Sequence, residues 1–111
     1  TGRTGNETLA MALEAGRAEG LRPQIYTHPL GLYGHSAGTT FGMWDSQEGV
    51  PVSGDWPLHE NTVYAIELNT KVYIEAWEKD IRIMLEEAGY FGPNGFAYVN
   101  KRQTKLYLIG E

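Results

Sequence analysis

The chain has 111 residues and no cysteine, with nine basic against fourteen acidic side chains and a formal net charge of −5. Disulfide scaffolds and Cys-ligated metal or iron–sulfur sites are excluded, and the acidic balance argues against a nucleic-acid duplex as main partner, because such binding rests on Lys and Arg neutralising phosphates. With 41% hydrophobic and 12% aromatic residues the chain can bury a core. No apolar run approaches the roughly 18 residues of a membrane span and no targeting segment is visible, so the expectation is a soluble chain, cytoplasmic or exported.

In chain order, the first element reads as a helix. Thr4-Gly5-Asn6-Glu7 has the capping-box spacing. Leu9, Leu13 and Gly16 then form one apolar stripe, Gly20 is the stop, and Pro23 forbids continuation. Residues 24–29 read as a short strand ending at Pro29. The glycines at 31, 34, 38 and 42 and the Gly49–Pro57 stretch mark loop. Thr62–Ile74 reads as a strand pair, with Val63, Ala65 and Glu67 on one face and a turn at Asn69-Thr70-Lys71. Glu75 to Asp80, around Trp77, reads as a solvated connection. Ile81–Leu85 forms the next strand, Phe91–Gly95 a turn, and Phe96–Val99 and Lys105–Ile109 the closing strands. The whole reads as a single α+β unit, a leading helix packed on a curved, largely antiparallel sheet.

Three polar residues stand where structure alone does not need them. His35 lies in the glycine-flanked Tyr33-Gly34-His35-Ser36-Ala37-Gly38. Glu67 is mid-strand, where carboxylates are disfavoured unless wet or paired. Glu86 points away from the Ile81/Ile83/Leu85 face. Converging on the free face of the sheet, they suit a divalent cation such as Mn²⁺, Co²⁺, Zn²⁺ or Fe²⁺. On the residues alone, the alternative is a loop histidine and two carboxylates on a solvated face. His28, before Pro29, could donate to a substrate carbonyl or oxyanion, or be a turn histidine. His59 reads as surface, and Lys101, Arg102 and Lys105 are too few for a nucleic-acid site. Trp44, Trp56, Tyr90 and Phe91 could line a pocket, though aromatic core is the commoner fate.

The order Gly34-His35-x-x-Gly38, Ala65-Ile66-Glu67, Ile81-Arg82-Ile83-Met84-Leu85-Glu86-Glu87, led by the Thr4-Gly5-Asn6-Glu7 helix start, resembles the later half of the Xaa-Pro aminopeptidase/prolidase metallopeptidases, whose relatives include methionine aminopeptidase and creatinase. The resemblance covers essentially all of residues 1–111 and implies the C-terminal part of a pita-bread catalytic domain. In that family two Asp, one His and two Glu hold two divalent metal ions; the resemblance implies Mn, Co or Zn in a longer parent chain, and three of the five ligands are not expected to hold two metals on their own. Carried over, it makes His35 the His ligand, Glu67 the first Glu ligand and the proton shuttle, and Glu86, rather than Glu87, the second. His28 enters as a shifted substrate-binding or catalytic histidine. The implied reaction is metal-dependent removal of an N-terminal residue from a peptide, commonly one containing proline.

The sequence also departs from that pattern. The two Asp ligands belong ahead of the leading helix, and Asp45, Asp55 and Asp80 come in the wrong order to replace them. The family's second His, about seven residues after the metal His, falls at Gly42 here. Glu67-Leu68-Asn69 stands for a Glu-Pro-Gly, and Met84 for an Arg. The expectation is therefore a chain inactive alone. The rival readings are a creatinase-like hydrolase of a non-peptide substrate and a non-catalytic binding module, with Gly42 the best support for the latter. Sheet edges and apolar surface left open by half a fold lead to an expectation of self-association into a homo-oligomer.

Overall fold

A computed structural model of the protein describes residues 2–110. Its order is α1 (Gly5–Ala18), β1 (Arg22–Ile25), β2 (His28–Pro29), β3 (Thr62–Ile74), a single 3-10 turn (Glu75–Trp77), β4 (Lys79–Gly92) and β5 (Gly95–Tyr98). The fold is α+β, one helix on an antiparallel sheet ordered β1-β3-β4-β5, with β2 also paired to β3. Among the described residues no helix is long and apolar enough to cross a membrane.

The capping box at the start of α1 forms as the sequence requires. The Glu7 amide donates to the Thr4 hydroxyl at 3.1 Å, and the Thr4 amide donates to the Glu7 carboxylate at 2.8 Å. Leu9 and Leu13 face inward and meet Ile25 of β1, with Phe41 and Leu68 packed around them. Ile25 and Leu68 are register partners, so this core lies on one face of the sheet.

β3 and β4 pair along their whole length, from Thr62 opposite Phe91 to Ile74 opposite Lys79. The turn expected at Asn69-Thr70-Lys71 does not exist, and β3 is one strand of 13 residues. Asn69 is 2% exposed, and its side chain is satisfied across the sheet. Its amide donates to the Gln24 side-chain oxygen at 3.0 Å, and its own oxygen accepts from Arg82 Nε at 3.0 Å. An asparagine bonded to flanking strands has no call to bend its own backbone. The reversal comes instead at Glu75–Trp77, where Glu78 adopts a left-handed conformation, within the stretch expected to be a solvated connection.

The strand expected over 24–29 is interrupted. β1 and β2 keep one register against β3, but between them Thr27 pairs on its other side with Phe41. Residues 30–61 carry no helix or strand, as their glycines and prolines imply. Side chains pin this segment down. Asn6 of α1 donates to the Val50 carbonyl and accepts from the Val50 amide, and Gln47 does the same with Ile25. The β4–β5 turn lies inside the expected region, and β5 matches the expected strand. The closing strand expected over Lys105–Ile109 is absent. Leu106, Tyr107, Leu108 and Ile109 are between 81% and 102% exposed. Such a continuous apolar run makes a stable strand only when both its faces are covered, and no layer lies over it here.

Candidate metal centre

His28 sits on β2 opposite Ala65. Directly paired residues share a face, and so do residues two apart on a strand. Glu67 therefore lies on the same face as His28, away from α1. The two meet, with His28 Nε2 2.8 Å from Glu67 Oε1. His28 Nδ1 lies 2.9 Å from the Pro29 carbonyl oxygen.

The loop after β2 brings in the second histidine. The Gly34 amide donates to the Gly31 carbonyl and the Ser36 amide to that of Pro29, each at 3.0 Å. This folds the chain back until the His35 ring stacks on His28, with centroids 4.2 Å apart and planes 11° off parallel. Gly31 makes the approach possible, since a Cβ there would lie 2.7 Å from the His35 carbonyl oxygen. One ligand atom from each of His28, His35 and Glu67 then lies within 4.8 Å of the other two. His28 and Glu67 are half-buried and His35 is exposed.

Both ring nitrogens of His28 face oxygens, a carbonyl and a carboxylate. A neutral imidazole carries only one N–H. With the Nδ1 proton on the Pro29 carbonyl, the Nε2 lone pair points at a carboxylate. A cation between Nε2 and Oε1 would suit that tautomer, whereas the tautomer with its proton on Nε2 donates directly to Glu67.

Of the residues singled out from the sequence, the structure brings His28, His35 and Glu67 together. Glu86 lies directly opposite Glu67 on the same face, exposed, and stands outside the 4.8 Å group. Glu87 turns to the other face, opposite Ile66, and accepts from the Gln103 amide. Asp55 bonds Asn6 and the Val52 amide, and Asp80 pairs with Arg22, so neither joins the cluster. Tyr64, Phe41, Ile66, Phe91 and Phe96 line an open cleft of about 540 Å³. Tyr64 and Ile66 point to the opposite side of β3 from Glu67, so this cleft is not part of the cluster. Of the aromatics expected to line a pocket, only Phe91 borders it.

The sequence reading did not place His28 among the ligands. The signal was its spacing: His28 and His35 are seven residues apart. Gly42 is held to glycine by its backbone. Its φ is +72°, and a Cβ there would lie 2.2 Å from the Ile25 carbonyl oxygen, so no side chain fits.

Comparison with models of known families, with characterised proteins and with solved structures gives no match to this chain.

Proposed function

We propose that this chain contributes the His and Glu ligands of a metal-dependent peptidase of the Xaa-Pro aminopeptidase type, in a pita-bread catalytic domain. The observation that carries the reading is the His28–Glu67 contact, with acceptors at both imidazole nitrogens and His35 stacked alongside. The donors fit a divalent cation. Imidazole and carboxylate together suit Zn, Mn, Co and Fe. Two ligands on a tetrahedral ion, each about 2.0–2.2 Å from it, sit about 3.3–3.6 Å apart, so Nε2 and Oε1, now 2.8 Å apart, would part by about half an ångström or more to admit one. The Nδ1 contact to a backbone carbonyl is the usual outer support of a ligating histidine.

In this reading His28 and Glu67 hold the ion, and Glu86 joins from β4 together with the two aspartates that the resemblance puts ahead of α1. The metal pair supplies a nucleophile at neutral pH and electrostatic stabilisation of developing negative charge. The remaining work falls to the chain's own groups. The Pro29 carbonyl fixes the His28 ring so that its Nε2 lone pair faces the cluster. The free Glu67 oxygen takes the proton released by the attacking water and passes it to the leaving amine. His35, at the exposed mouth, donates to the substrate carbonyl oxygen.

Calorimetric titration of the 111-residue chain with Zn²⁺ and Mn²⁺ tests the reading. The expected result is saturable binding that weakens more than about a hundredfold in His28→Ala, since even supporting residues around a metal are worth about 10–100-fold. Equal affinity in the wild type and in a His28→Ala/Glu67→Gln double variant overturns it. Mn²⁺-dependent cleavage of an Xaa-Pro peptide is expected only from a chain that also carries the two upstream aspartates.

A further inference from the structure

The face that carries the cluster also carries a row of cations. Arg22 on β1 is opposite Lys71 on β3, and Lys71 is opposite Arg82 on β4. Three of the nine basic residues of a chain with net charge −5 thus stand side by side across three strands. All three are exposed. Like charges placed directly opposite destabilise a sheet, so the row costs stability unless something compensates it. Asp80 pairs with Arg22 and also feels the charge of Lys71, which leaves the terminal nitrogens of Arg82 as the least compensated part of the row. Among the described residues, neither Lys71 nor Arg82 has a carboxylate within 4.0 Å.

Arg82 is also held in place. Its Nε donates to Asn69 Oδ1, Asn69 is fully buried, and Asn69 in turn donates to Gln24, whose amide donates to the Trp44 carbonyl. A guanidinium anchored through Nε keeps its two terminal nitrogens as a preorganised fork, the geometry that matches a carboxylate.

Position relates the row to the cluster. Lys71 lies four residues beyond Glu67 on β3, and Arg82 four residues before Glu86 on β4. At about 3.4 Å per residue this is about 13 Å along the strands. An extended peptide advances about 3.3–3.6 Å per residue. With the long Lys and Arg side chains reaching back, a carboxylate about two to four residues past the cluster falls within the fork.

We propose that Lys71 and Arg82 form an anion subsite that binds a carboxylate of an extended peptide lying along the β3–β4 face, about two to four residues beyond the bond held at His28 and Glu67. The peptide's placement rests on the hydrolase reading; the anion subsite rests on the register and on the Asn69 anchor. The carboxylate is either the peptide's C-terminus or an acidic side chain, and both deliver the same group to the same fork.

The test is an NMR titration of the labelled 111-residue chain, saturated with Zn²⁺, using Ala-Pro-Ala-Ala, its C-terminal amide, and the amide of Ala-Pro-Ala-Glu. The free acid is expected to bind at least about tenfold tighter than its amide, with shifts at Lys71 and Arg82 and also around Glu67. In Lys71→Gln/Arg82→Gln the acid and the amide converge, while Zn²⁺ affinity is unchanged. Lys71→Gln alone, an exposed change that leaves the Asn69 anchor untouched, gives an intermediate loss. If the glutamate amide matches the free acid, the subsite takes side chains as well as chain ends. Equal affinities of acid and amide for the wild type, a preference that survives in the double variant, or no binding of any peptide overturns the proposal. Failure of the hydrolase reading looks different: no Zn²⁺ binding, or a preserved acid preference with shifts confined to the cation row.

Discussion

On one face of the sheet Leu68 and Ile25 close against Leu9 and Leu13 of α1; on the other, one residue away, Glu67 meets His28. The helix-covered face is apolar and deeply buried, with Leu9 at 1% and Leu13 at 3% exposure. The polar face carries, from the base of the hairpin toward its tip, the Glu67–Glu86 pair, the buried Asn69 beside Gln24, and a cation row. It is held by directional contacts between side chains on neighbouring strands. A single strand therefore turns its even-numbered residues toward the helix and its odd-numbered ones toward the polar side. The division follows from the two-residue period of a strand.

The sharpest way to break that comparison is to exchange the roles. Leu9→Ala is expected to cost about 2–5 kcal/mol, the range for emptying a buried leucine site. Glu67→Gln, which keeps the side chain's shape, is expected to cost about 1 kcal/mol or less, the scale of one hydrogen bond. Urea denaturation of both variants checks this, and a larger loss from Glu67→Gln would mean that the open face is structural. Next in size is Thr4→Ala, which removes the hydroxyl that caps α1. About 1 kcal/mol is expected from the same measurement, with the metal affinity of the open face unaltered.

The smallest effect concerns pH. Burial pushes the Tyr64 hydroxyl above the ordinary tyrosine range, partly opposed by a hydrogen bond with Thr62. Below a pH of about 10 the group is neutral in both the folded and the unfolded chain and adds no pH dependence. Above it the unfolded chain loses its proton first, so stability falls as pH rises toward the raised folded value. Tyr64→Phe is expected to flatten this alkaline limb in denaturation curves taken between neutral and strongly alkaline pH. Tyr64 lies on the covered face, so an unchanged limb would place its hydroxyl in contact with water and blur the contrast between the faces.

Much of the covered face was legible in the sequence, because its signals are local. The Thr4–Glu7 box, the Leu9–Leu13 stripe and the alternation from Val63 to Leu68 each speak within a few residues. The Asn69 turn misled for the opposite reason. Asparagine favours turns when its side chain must bond its own backbone, and here Gln24 and Arg82, distant in sequence, satisfy it. The final apolar run reads as a strand by composition, but composition does not provide a partner. At the site, His35, Glu67 and Glu86 were legible as polar residues out of place. The contacts of His28 were not, because they depend on Pro29 meeting one ring nitrogen and on a glycine turn laying His35 over its ring.

The anchoring of residues 30–61 has a kinetic consequence. The β3–β4 hairpin joins neighbours in sequence and needs only a short loop to close. Asn6 finds its partners at Val50 and Asp55, 44 and 49 positions away, and His28 finds Glu67 39 positions away. Distant pairings carry a larger closure entropy and form more slowly. The hairpin is thus the early scaffold, and the two histidines are added to it late. Along the folding route, the His28–Glu67 contact forms after most of the sheet already exists.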